Sequence, residues 1–296
     1  MYKYYKKNNY NVMYYYFDSI TEYLEHLENA KISNAFRETA KSEYTNNYNW
    51  YKTINLAEAK NMAKYGNHEN FDKFLDLKLK LEKYIKLNSK KYKQYNFYVG
   101  YVPDVKAYLE GNPLSMLNKQ KSQKKQINIY YNSAYDWRDN SNQIFNRGAI
   151  TLSLVEILEQ LGFSVSLNFF VLLDEGKQVH YSVFKLKNIN ERINIQKLFF
   201  PMCHPSWFRR LYFKLMETTP DINFAWCDRY GVPSGENMIR KIIDLEPNDI
   251  VICEPRIMNI YGNDIIEDAN NMFDYINDGY KTKDFELPSF EKTRKI

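Results

Sequence analysis

The sequence predicts an α/β fold: a mostly parallel sheet with one antiparallel edge strand, preceded by an α-rich N-terminal region. Three observations predict it. Residues 126–173 read as strand, helix, strand. Only Asp174–Gln178 separates that second strand from the next strand pattern. Helical stripes dominate most of the first 120 residues.

The central unit is the clearest. Ile127 to Asn132 is rich in β-formers, and a polar loop follows from Ser133 to Asn142. Ile144, Ile150, Leu154, Ile157, Leu158 and Leu161 then recur at helical spacing. Gly162 stands at the C-cap position, where glycine takes a left-handed turn without steric cost. Phe163 to Leu173 supplies the second strand. Strands joined by a helix of this length run parallel with a right-handed crossover. The five residues Asp174–Gln178 are of hairpin length, so Val179–Lys187 is expected to be antiparallel and at an edge.

The remaining elements follow in chain order. Residues 1–12 are polar and basic and are expected to be mobile. After the aromatic run Tyr14–Phe17, Ser19 and Glu22 have capping-box spacing for a helix ending near Asn29. Asn55 and Gly66 bracket a second helix, and the stripe Phe71, Phe74, Leu75, Leu77, Leu81 and Ile85 marks a third over 69–87. Asn96–Tyr101 reads as a strand, Pro103–Gly111 as a short helix, and the basic segment 119–125 as a linker. Residues 194–217 form a helix in two pieces broken around His204–Trp207, with Pro205 as a first helical residue. Ile222–Trp226 is a short strand, Ser234 caps a helix ending near Leu245, and Pro247-Asn248 turns into a last strand, Asp249–Cys253. Asp264 caps a final amphipathic helix. The expected organisation is an α-rich region over 1–120, an α/β domain over 121–280 and a tail over 281–296.

Composition narrows the class. At 296 residues and 44% hydrophobic content, the chain can bury a core as one large domain or two ordinary ones. A formal charge of +5 is mild and does not by itself identify a nucleic-acid binder. The 27 tyrosines, with many Asn and Lys, fit either AT-rich coding or an aromatic-basic surface on which bases stack. Cys203, Cys227 and Cys253 are odd in number and far apart, which points to a reducing compartment rather than a disulfide framework or a zinc knuckle. No apolar run reaches membrane-spanning length, and the basic N-terminus lacks an apolar signal core. The expectation is a protein with no membrane partner that is intracellular or packaged in something made inside a cell.

Open α/β sheets place ligands beyond the carboxyl ends of their strands, so the loop after Asn132 is the expected site. Arg147-Gly148 is read as opening the central helix beside it, either as an anion site at a helix N-terminus or as an ordinary start with Gly148 packed on the sheet. Arg209 and Arg210 point about 100° apart on a helix, so one is expected to meet a buried acid and the other solvent. His204 is expected to bond the adjacent backbone, and His180 to be a half-buried or surface strand residue. No phosphate loop, nucleophile elbow or His/Cys metal spacing occurs, and no catalytic residue emerges.

The order strand, helix, strand, edge strand, helices, strand, helix resembles the Rossmann-like sheet of von Willebrand factor A domains. The chain also resembles a family of phage and prophage proteins carrying only a domain-of-unknown-function label. The resemblance rests on NWYKTINLAEAKNMAKYGN (49–67), YVPDVKAYLEGNPLSML (101–117), NRGAITLSLVEILEQLGF (146–163), HPSWFRRLYFKLME (204–217) and NDIVICEP (248–255). It implies a phage setting, in the host cytoplasm or the virion, and no assigned activity. A-domains often hold Mg²⁺ on Asp-x-Ser-x-Ser after the first strand. At the matching place, Tyr131–Tyr135, only Ser133 keeps a ligand in register, and Asp136 is the nearest carboxylate. The resemblance therefore implies a degenerate metal site at Ser133 and Asp136 and no resident cofactor.

Two functions are expected to compete. In the first, the chain is an interaction or assembly module that holds another phage or host protein. Its edge-loop contacts would be Asn132, Ser133, Asp136, Trp137, Arg147, Asp228 and Arg229. In the second, it binds nucleic acid through the Lys/Tyr-rich segments 78–101 and 119–125, chiefly Lys90, Lys91, Lys93, Lys124 and Lys125. A metal-dependent enzyme ranks third.

Overall fold

The computed structural model describes residues 2–33, 36, 40–44, 47–67, 71–84, 92–121, 126–160, 162–189, 191–220, 232–246 and 249–279. The N-terminus is a hairpin. Strands β1 (Tyr2–Lys7) and β2 (Tyr10–Phe17) pair antiparallel around Asn8 and Asn9, whose φ angles are 49° and 66°. Asparagine tolerates that left-handed backbone, and a two-residue turn of this hand matches strand twist. The mobile N-terminus expected from polarity is therefore corrected: alternation along β2 buries Met13, Tyr15 and Phe17 on one face.

The hairpin joins the main sheet. Its order is β1-β2-β8-β7-β6-β9, with β6 at Gln126–Asn132, β7 at Ser164–Glu175, β8 at Gln178–Lys187 and β9 at Ile250–Ile252. Strand β6 is parallel to β7 and β9, and β8 is antiparallel to β7, as expected. Strand β8 is not an edge, however, because β2 pairs with it in parallel. The expected boundary near residue 120 is thus not a boundary of the sheet.

One sheet face is covered by helices: α1 (Ile20–Asn29), α4 (Leu56–Tyr65), α7 (Ser141–Gln160) and α8 (Ile195–Cys203), then a π-helical segment Trp207–Tyr212 running into α9 (Phe213–Thr218). Phe17, Phe169, Phe184 and Trp207 meet there at centroid separations of 5.3–5.8 Å. Each such buried ring contributes roughly 2 kcal/mol of transfer free energy. Helix α7 is buried along most of its length, and Gly148 is where α8 crosses it. A Cβ there would lie 2.2 Å from the Met202 carbonyl oxygen, so the glycine serves contact with a helix end rather than with the sheet. Two short helices, α2 (Lys41–Tyr44) and α3 (Tyr48–Tyr51), and α5 (Phe71–Tyr84) complete the N-terminal helices.

A second, three-stranded sheet has the order β3-β5-β4, with β3 at Tyr92–Phe97, β4 at Val102–Pro103 and β5 at Met116–Lys121. Lys119–Lys121 therefore belong to a strand and not to a linker, and the strand expected at 96–101 lies earlier. Helix α6 (Val105–Leu109) is capped by Asp104, which accepts from Ala107 N at 3.1 Å. The chain closes with α10 (Glu236–Ile242) and α11 (Ile265–Gly279), the latter capped by Asp264 as expected. Helix α10 starts after Gly235, and Ser234 makes no side-chain cap bond. The strand expected at 222–226, the turn at 247–248 and the tail lie outside the described residues. Among the described residues, no helix is long and apolar enough to cross a membrane.

Candidate functional site

The carboxyl ends of β6 and β9 converge with the N-terminal half of α7. Asn140 and Gln143 cap that helix reciprocally, at 3.0 and 2.8 Å, and Gln143 Nε2 donates to the Ile260 carbonyl. Gly262 packs against Gln143 N so closely that a Cβ would sit 2.8 Å away. The helix end is closed, and α7 begins six residues before Arg147, so Arg147-Gly148 does not open the helix as expected.

Arg147 is fully buried. Its Nε donates to the Tyr131 hydroxyl at 3.0 Å, and Nη1 to the Cys253 and Ala134 carbonyls at 3.0 and 3.4 Å. It ties β6, β9 and the edge loop together, acting as a positioning residue. Arg209 and Arg210 are also buried, and neither turns to solvent. Arg209 lies 4.2 Å over the Trp50 ring and donates to the Trp50 and Asp139 carbonyls. Arg210 lies 3.9 Å over Tyr51 and donates to the Ser42, Thr53 and Ile54 carbonyls. The two arginines pin the loops of α2 and α3 onto the π-helical segment. His180, expected half-buried or at the surface, is fully buried between the Tyr212 and Thr219 hydroxyls, whereas His204 accepts from Ser206 N as expected.

The edge loop itself is an ion-pair cluster. Arg138 grips Asp136 through Nε and Nη2 at 2.8 and 3.0 Å, and that bond first of all lowers the Asp136 pKa. Arg256 donates to Asp139 at 3.1 Å and stands 3.5 Å from Asp136. Burial raises the Asp139 pKa. Burial, and then the charge of Asp139, pushes Glu254 up to about 7. Guanidinium groups already occupy the place a cation would take, so this donor set does not fit Mg²⁺. Among the described residues no cluster of His, Cys, Asp or Glu is placed to hold a metal.

The three-stranded unit shows a different surface. Eight of the seventeen exposed large apolar side chains among the described residues fall between 97 and 109, at 44–79% exposure. Tyr98, Val99, Val105, Tyr108 and Leu109 are the most exposed of them. Gly100 sets their display: a Cβ there would lie 2.1 Å from the Leu117 carbonyl oxygen, so the turn presses on β5 and throws Tyr98 and Val99 outward.

A family model described as a domain of unknown function, DUF7192, matches residues 5–278. The chain belongs to that family. No curated protein matches it, and no solved structure does. The DUF7192 match runs from β1 to α11 and so takes in the hairpin, the small sheet and the carboxyl edge together.

Within this DUF7192 chain the expected site residues separate. Asn132, Ser133 and Arg147 are buried in the edge. Asp136 is buried beneath Arg138, while Trp137 is 67% exposed. Lys93 lies in β3. Asp228, Arg229, Lys90, Lys91, Lys124 and Lys125 lie outside the described residues. The exposed apolar run at 97–109 was missed in sequence, although Tyr98-Val99-Gly100-Tyr101-Val102, without a charge, is its signal.

Proposed function

We propose that this DUF7192 protein is a protein-interaction or assembly module that holds its partner through the three-stranded unit. The observation that carries this reading is the apolar run Phe97–Leu109. Eight exposed apolar side chains gathered within thirteen residues are of the kind that mark association sites. Exposed tyrosines suit such surfaces because they combine apolar area with a polar tip. Trp137, beside the arginine–carboxylate cluster, is a second contact point. The phage setting, in host cytoplasm or virion, is part of the proposal and rests on sequence resemblance. The von Willebrand A-like reading is likewise proposed. The order of β6, α7, β7, antiparallel β8, helices, β9 and α11 supports it, while the added β1-β2 hairpin departs from it.

The test is affinity capture by tagged protein from phage-infected cells, after nuclease treatment, beside the variant Tyr98→Ser/Tyr108→Ser/Leu109→Ser. The reading expects a stoichiometric phage or host protein held by the native chain and lost by the variant. Equal recovery with both would defeat it.

A second reading has its own support. Residues 86–125 contain nine lysines against Asp104 and Glu110, a net +7 in a chain of net +5. The net excess of positive charge thus lies in the segment that carries the exposed aromatics, a pattern suited to single-stranded nucleic acid. Recovery dominated by nucleic acid, lost on nuclease treatment, would favour it.

A further inference from the structure

The main sheet has a second face, on the side away from α7 and α8. A groove of about 320 Å³ lies across it. Its walls are Tyr5 on β1, Tyr14 on β2, Tyr181 on β8 and Tyr130 on β6, with Asn168 of β7 paired beside Tyr130. Pairing fixes this arrangement, because Tyr14 is the register partner of Tyr181 and successive side chains alternate between faces. The end of α10 closes one side, held by Asn8 Nδ2 on the Lys241 carbonyl at 2.7 Å.

Three features define what fits. Three of the rings form a continuous platform: Tyr14 and Tyr181 are 5.2 Å apart and tilted, and Tyr5 meets Tyr14 edge-on at 6.2 Å. Neither contact makes parallel plates for a base to enter. None of the four hydroxyls, nor the Asn168 amide, has a hydrogen-bond partner among the described residues, so all remain for a ligand. The groove is also electrically balanced, because its one cation, Lys7, is paired with Asp244 at 2.6 Å. Burial, and then its tyrosine neighbours, pushes Tyr14 up to about 12, and Tyr5 and Tyr130 are raised chiefly by burial. The hydroxyls therefore stay neutral at physiological pH, each both donor and acceptor.

We propose that this groove binds a neutral pyranose, one ring of an uncharged glycan, laid on the tyrosine platform and hydrogen-bonded by Asn168 and the surrounding hydroxyls. The C–H face of a sugar ring suits the negative face of an aromatic ring, and its hydroxyls suit the unpaired phenols. The volume lies at the lower end of the range for small-ligand sites, about 300–1,000 Å³. A phosphate-bearing ligand finds no free cation among the lining residues.

Saturation-transfer NMR with maltotriose, chitotriose and uridine 5′-monophosphate tests this on the full chain. Transfer to the ring protons of at least one sugar is expected, with none to the nucleotide. Tyr14→Ala and Tyr130→Ala, on separate strands, should each weaken sugar binding about tenfold. A cooperative melt for each variant confirms that it folds. Absence of transfer to both sugars overturns the proposal. So does transfer to the nucleotide, and so does sugar binding that neither variant weakens. The interaction variant Tyr98→Ser/Tyr108→Ser/Leu109→Ser should bind sugar as the native chain does.

Discussion

Arg256 donates through Nε to the buried carboxylate of Asp139 at 3.1 Å, in the loop where a metal would be sought. Asp139 Oδ2 also accepts from Asp136 N, so the carboxylate braces the loop from within. Arg256→Ala removes a charge-assisted bond to a buried group and should cost about 2 kcal/mol in urea unfolding. Millimolar Mg²⁺ should leave the native melting temperature unchanged, because binding to the folded state alone would raise it.

Gly148→Ala tests the close crossing of α7 and α8. The new Cβ would meet backbone, the Met202 carbonyl, which no side-chain rotation relieves. Overpacking of this kind should destabilise by about 3 kcal/mol or block folding, as chemical denaturation would read. Gly279→Ala, in the last turn of α11, meets nothing within 4 Å and serves as the control.

Acid should destabilise the fold through its buried histidines. Burial lowers His180 to about 3 and, with the charge of Lys52, His204 to about 4, whereas both titrate near ~6.5 when unfolded. Their folded values are depressed, so the stability tied to the neutral rings is complete above about pH 6.5. It is lost as pH falls toward 4 and 3, at about 1.4 kcal/mol per pH unit for each ring. Glu254 acts oppositely. Its folded value of about 7 lies above the unfolded carboxyl value of ~4.3, so its contribution is complete at low pH and fades as pH rises through 7. It therefore offsets part of one histidine between about pH 6.5 and 4.5. His180→Gln should flatten the acid limb of a stability–pH curve by about 1.4 kcal/mol per unit.

Replacing Lys90, Lys91, Lys124 and Lys125 by Glu separates the two functional readings. If the protein-interaction reading holds, partner recovery after nuclease is unchanged. If nucleic acid is the ligand, fluorescence anisotropy on a labelled single strand should show binding lost, and native binding weakening steeply with salt.

Local signals were legible where one residue's chemistry decides a backbone state. Ser19 accepts from Glu22 N at 3.1 Å, Asn55 from Glu58 N at 2.9 Å, and Gly162 takes φ +96°, each as its position in the sequence implies. The parallel β6-α7-β7 unit was legible from period and length. The place of β8 was not, because its second neighbour lies more than 160 residues away, in a hairpin whose lysines and tyrosines read as solvated chain. Burial of Arg147, Arg209 and Arg210 was equally hidden. Their partners are mostly backbone carbonyls, which carry no residue-type signal. Of the expected edge-loop contacts, Trp137 is exposed, and the exposed face at 97–109 was passed over because its residue types are those of a core.

Hydrogen exchange on the protein alone and in its nuclease-resistant complex tests the central claim most directly. The account predicts slowed exchange for amides of residues 97–110, with little change across β6 and β7, whose pairing already protects them. Protection that leaves 97–110 untouched and appears elsewhere would contradict it.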